Sequence, residues 1–75
     1  MKITYDKSID AAYIYLKGLD YSNTQWVKKT YMCDPAEING MINLDFDNEG
    51  RLGGVEIQGA SKKLPKEILD QAEQI

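Results

Sequence analysis

The 75-residue chain reads as an α+β domain: an antiparallel β-meander of four to five strands with a C-terminal α-helix packed on one face. Three observations predict this. Ile42, Leu44 and Phe46 alternate with Asn43, Asp45 and Asp47, the period of a half-buried strand. Asp47-Asn48-Glu49-Gly50 then supplies a turn, and Leu52, Val55 and Ile57 bring the chain back, so residues 41–58 form a hairpin. Finally, Ile68, Leu69, Ala72 and Ile75 recur as one apolar stripe at helical spacing.

The remaining elements follow in order. Residues 2–5 form a first strand with Ile3 and Tyr5 on one face. Asp6 to Asp10 is a turn, where short carboxylates bond nearby amides. Residues 11–17 form a second strand, because the Tyr-Ile-Tyr-Leu run is aromatic and β-branched. Ala12, Ile14 and Leu16 make its apolar face, and Tyr13 and Tyr15 its amphipathic one. Residues 18–23 have the composition of a hairpin loop. A third strand is expected over 24–32, anchored by Trp26. Asp34-Pro35 then opens a break, in which residues 35–38 suit one helical turn with Asp34 as its N-cap. In the hairpin, Gly50 is expected in the left-handed region. The apolar parity slips between Leu52 and Val55, and a bulge at Gly53-Gly54 would restore it. Residues 59–63 read as a linker, and a helix starts at Leu64-Pro65. The expected division is a strand-rich core over 1–63 and a helix over 64–75, in one small domain.

Size and composition limit what such a chain does. A domain this short buries only ~60% of the surface its unfolded form exposes, so its core is thin. The predicted inward face is Ile3, Tyr5, Ile14, Leu16, Trp26, Ile42, Leu44, Phe46, Val55 and Ile57. Such a core makes a homodimer plausible, by sheet-edge pairing or helix exchange. Cys33 is the only cysteine, which excludes an internal disulfide and fits a cytoplasmic setting. No apolar run approaches ~18 residues, and the opening MKITYD has no h-region, so neither a membrane span nor a signal peptide is expected. Nine basic against twelve acidic residues, net −3, disfavour a nucleic-acid surface and suit a basic protein partner.

Two constellations carry chemistry. Asp45, Asp47, Glu49, Gly50 and Glu56 fall at the offsets of the calcium loop D-x-[DN]-x-[DN]-G-x5-E. That loop requires a helix on each side, whereas these flanks alternate as strands, and solvated turn residues explain the same letters. The tyrosines with Trp26 form the second constellation, since aromatic residues are enriched in interface cores. The candidate partner-binding residues are Tyr13, Tyr15 and Trp26, with Asp34 and Glu37 from the irregular segment. With no histidine in the chain, Ser-His-Asp, Cys-His and His-ligated metal sites have no basis. Asp6 and Asp10 could pair for acid–base work, but turn capping is the commoner use of such residues. No catalytic residue and no cofactor is assigned.

Several stretches together resemble a known family. The chain opens MKITYD, continues DAAYIYL over 10–16, and has INLDFDNEGRL over 42–52, GVEI over 54–57 and ASK over 60–62. In this it is similar to the small bacterial and archaeal proteins grouped as domain of unknown function 2283, over roughly residues 1–63. Ser8 stands where the family often has an acidic residue, and Ala12 where a larger aliphatic is usual. The resemblance implies a compact strand-rich domain and supports the hairpin over the calcium loop. It brings no established activity. Some relatives look like partners of small toxin-like proteins encoded beside them, which implies an antitoxin or immunity role. The expected function is therefore a non-catalytic binding protein that covers a basic toxin. A calcium-binding module built on residues 45–56 and a structural homo-oligomerisation module are the alternatives.

Overall fold

The computed structural model describes residues 1–16 and 25–75. The expected loop over 18–23, the end of the second strand at Lys17 and the start of the third at Thr24 lie outside them. The element order is β1 (Lys2–Asp6), β2 (Ala11–Tyr15), β3 (Lys29–Met32), α1 (Pro35–Ile38), β4 (Met41–Phe46), β5 (Leu52–Gln58), α2 (Ala60–Lys63), α3 (Lys66–Gln71) and β6 (Glu73–Gln74). The class is α+β, as the sequence predicts, with more strand than expected.

The sheet is not a meander, however. Its order is β3-β4-β5-β2-β1-β6. The β1–β2 hairpin and the β3-β4-β5 meander are joined by antiparallel pairing of β2 with β5. β5 and β1 both run antiparallel to β2, so β5, β1 and β6 point the same way. The segment from α2 to α3 is thus a crossover between parallel strands, passing over β2 and β1. Such connections need a dozen or more residues, which the interval from Gln58 to Glu73 provides.

That crossover determines the core. Registered pairs place Tyr5, Ala12, Ile57 and Ile42 in one cross-strand row of the helix-covered face. Ile3, Ile14, Val55, Leu44 and Tyr31 form the next row. The buried cluster is Tyr5, Ala12, Ile57, Ala60 and Ala72, with Leu64 and Leu69 packed against it. The residues at closest approach are alanines, and Ala60 is fully buried. Ala12, also buried, is small enough to leave room for the crossover. Leu16, expected inside, is 42% exposed.

Several local expectations hold. Asp34 caps α1 by accepting from Ala36 N–H at 3.0 Å. Gly50 has φ 78°, and its N–H bonds Asp47 C=O. The β4–β5 register shifts between Asp45 and Phe46, which puts the bulge at Gly53. Others change. The third strand begins only at Lys29, leaving Trp26 outside it. The supposed linker 59–63 contains α2. The C-terminal helix stops at Gln71: Ala72 turns to an extended ψ of 150°, and Glu73 and Gln74 pair with Thr4 and Tyr5. Ala72 is buried either way, and strand pairing supplies backbone hydrogen bonds that the frayed end of a six-residue helix lacks. Among the described residues, no helix is long and apolar enough to cross a membrane.

Asp10 locks the crossover to the first hairpin. It adopts φ 52° and accepts a hydrogen bond from Ala60 N–H through its backbone C=O, at 3.0 Å. Its carboxylate accepts from Ser61 N–H at 2.9 Å, Ser61 Oγ at 2.7 Å and Tyr5 Oη at 2.7 Å. Gly59, the N-cap position of α2, has no side chain to do this. Asp10 therefore caps a helix from outside it, a role beyond the local turn capping that its neighbourhood suggests. The Tyr5 hydroxyl, followed by Ser61, holds the Asp10 carboxyl below the ordinary carboxylate range. The same contact raises the Tyr5 phenol.

A carboxyl lowered in the fold adds stability above its unfolded pKa of about 3.9 and loses it as pH falls through the folded value. Asp10→Asn tests this cleanly, because asparagine tolerates the left-handed backbone. The variant should be less stable than the parent near neutral pH. The difference should shrink as pH drops below about 4, as read by chemical denaturation across that range.

Candidate functional site

The face away from the helices is polar and aromatic, because strand alternation sends every second side chain there. Register aligns Thr4, Tyr13, Glu56, Asn43 and Met32 in one row, and Lys2, Tyr15, Gly54, Asp45 and Thr30 in the next. The glycine in the second row is what organises the face. A methyl group at Gly54 would overlap the Tyr13 hydroxyl and ring. With none there, Tyr13 reaches across β5 and donates its hydroxyl to Asp45 Oδ2 on β4. Thr30 Oγ1 donates to Asp45 Oδ1 at 2.6 Å from the other side. Asn43 Nδ2 donates to Glu56 Oε1 at 2.8 Å. Tyr13 and Tyr15 lie with ring centroids 4.5 Å apart, tilted by 48°. Burial, and then the Asp45 carboxylate, push the Tyr13 phenol far up, so it remains a donor at any ordinary pH.

Of the predicted partner-binding residues, Tyr13 and Tyr15 come together on this face. Trp26 packs its ring on Gly53, the neighbouring bulge position, where a Cβ would also clash. Asp34 caps α1 and Glu37 lies in it, and that helix contacts β4. The acidic spacing of residues 45–56 is drawn apart by the hairpin. Asp45 and Glu56 sit in adjacent rows of the face; Asp45 accepts from Tyr13 on β2 and Thr30 on β3, and Glu56 from Asn43 on β4. Asp47 is buried in the turn, where Oδ1 accepts from Glu49 and Arg51 N–H at 2.9 Å. Glu49 pairs with Arg51 at 2.6 Å. Among the described residues, no three His, Cys, Asp or Glu side chains are grouped to hold a metal ion.

Asp6, the other half of the possible carboxylate pair, accepts from Ser8 N–H and Oγ. Its side chain belongs to the polar face, whereas Asp10 turns to α2. A shallow cleft of about 170 Å³ runs along β1 and β2 on this face, lined by Asp6, Tyr13, Tyr15 and Glu56. Exposed Ile9 and Ile75 also line it. Asn43 and Thr30 complete the polar rows. The strand period alone places them on this face, but only register identifies their carboxylate partners.

Gly54→Ala should destabilise the domain by about 1–3 kcal/mol, the usual cost of overpacking. Tyr13→Phe should cost about 1–2 kcal/mol by leaving the half-buried Asp45 one donor short. Because the added methyl evicts the Tyr13 hydroxyl, the two effects should be less than additive in denaturant titrations.

Comparison with known proteins identifies the chain at the level of family alone. No curated protein and no solved structure matches the chain. A family model described as "Protein of unknown function (DUF2283)" matches residues 2–61, from β1 through the Asp10-capped start of α2. The chain belongs to that family.

Proposed function

We propose that the domain is a non-catalytic binding protein that uses its aromatic and acidic sheet face to cover a basic protein, in the manner of an antitoxin or immunity protein. The observation that carries this reading is the cleft in which Tyr13 and Tyr15 stand beside Glu56 and Asp6. Tyrosine faces attract ammonium and guanidinium groups, and carboxylates bond them with charge assistance. The cleft's volume suits one lysine or arginine side chain. Ile9 and Ile75, 68% and 71% exposed, add an apolar rim that a partner would cover. The net charge of −3 favours encounter with a basic surface.

The test uses the protein encoded by the neighbouring gene. Tagged full-length chain should capture it, and co-expression should rescue growth if that neighbour is toxic. Tyr15→Ala with Glu56→Gln should abolish capture while the circular dichroism of the domain stays unchanged. Absence of both capture and rescue with the parent chain would sink the proposal.

A further inference from the structure

The apolar row Ile3, Ile14, Val55, Leu44, Tyr31 runs to the sheet edge and stops in the open. Tyr31 is 54% exposed and its neighbour Met32 55%. Every residue of β3 is exposed, and among the described residues β3 pairs with β4 alone. Cys33 N–H bonds Ile42 C=O at 2.9 Å, so antiparallel alternation turns Tyr31 toward β4 and aims the backbone groups of Thr30 and Met32 outward. The strand contains no proline, and the β3–β4 register is regular from Lys29 to Met32; an irregularity lies just before the strand, where Lys28 N–H also bonds Phe46 C=O at 2.9 Å. The other sheet edge, β6, is only two residues long.

We propose that β3 is the pairing edge of a homodimer, in which a second copy adds antiparallel across a two-fold axis at Tyr31. The outward groups select this register. Centring on Tyr31 sets Thr30 opposite the partner's Met32 and Met32 opposite the partner's Thr30, so all four outward-facing residues of the two strands are hydrogen-bonded. Centring on Thr30 or Met32 pairs only one of them with its own copy, and the Met32 register also sets Lys29 against Pro35, which has no N–H. Only the Tyr31 register places Lys28 opposite the partner's Asp34, twice by symmetry. Two lysines that would otherwise blunt an edge thereby gain partners, and Asp34 keeps one oxygen on its cap of α1. The two tyrosines meet in a non-hydrogen-bonded pair, where side chains are closest, and the apolar row continues unbroken into the second copy. A cleft of about 550 Å³ beside Tyr31, lined by Lys28, Lys29, Phe46 and Asp47, leaves room for the partner's side chains.

Sedimentation equilibrium of the full chain over a wide concentration range tests this. The mass should rise from 8.5 kDa toward twice that value. Met32→Pro removes an outward N–H without touching the β4 ladder and should hold the chain monomeric. Lys28→Glu should weaken association several-fold at low salt. The register is read by cross-linking in a Cys33→Ser background. Tyr31→Cys should form an intermolecular disulfide under mild oxidation, because Cβ atoms in such a pair lie about 4.5–5.5 Å apart, near disulfide reach. Met32→Cys in the same background should not. A mass of 8.5 kDa at all concentrations, or cross-linking through position 32 and not 31, overturns the proposal.

Discussion

Asp10 links parts of the chain that no local rule connects. Its backbone is held in the left-handed region at the end of the first hairpin turn, and its carbonyl and its carboxylate reach Ala60 and Ser61, the first two residues of a helix far along the chain. This contact decides where the crossover from β5 starts. Once α2 is seated beside Asp10, Ala60 lies directly on the sheet, and α3 delivers Ala72 to the same cluster. Tyr5 serves twice: its ring lies in the core, and its hydroxyl holds the capping carboxylate. Among the described residues few large side chains are buried, and a core of that kind relies on polar locks, because apolar area alone stabilises a small domain only marginally.

Glycine has a comparable organising role on the opposite face. Gly53 and Gly54 sit where the hairpin changes register, and Trp26 and Tyr13 lie against them. The bulge re-aims β5 so that Leu52 and Val55, on opposite parities, both serve the hairpin. The absence of a side chain at Gly54 lets a tyrosine on β2 bond a carboxylate on β4 across the strand between them. One face of the sheet is consequently built from mainly apolar rows, and the other from Tyr13, Tyr15, carboxylates and their donors.

The candidate site was partly legible in the letters. Tyr13 and Tyr15 stood out, because aromatics at alternate strand positions share a face. Asp45 and Glu56 stood out for another reason, their spacing in a metal-loop pattern, and the hairpin gives them different partners. Spacing along a chain implies proximity only if the backbone between the residues has the assumed shape. A calcium loop coils its ligands inward, whereas this hairpin sends them into separate cross-strand rows. The Asp10–Ser61 contact was not legible, because nothing within the flanks of either residue refers to the other.

What the sequence determined by itself is local. The hairpin over 41–58, the left-handed Gly50, a bulge within Gly53-Gly54 and the Asp34 cap follow from period-two alternation, from glycine's tolerance of positive φ and from a short carboxylate's reach to nearby amides. Tertiary structure decided the rest. It placed β5, rather than β3, beside β2. It turned a supposed linker into a capped helix, and it ended the last helix at Gln71 so that Glu73 and Gln74 could extend the sheet. These outcomes depend on which distant surfaces can approach one another. The residues that permitted the approach were alanines and glycines, whose contribution is the space they leave, and a hydrophobic pattern does not register space.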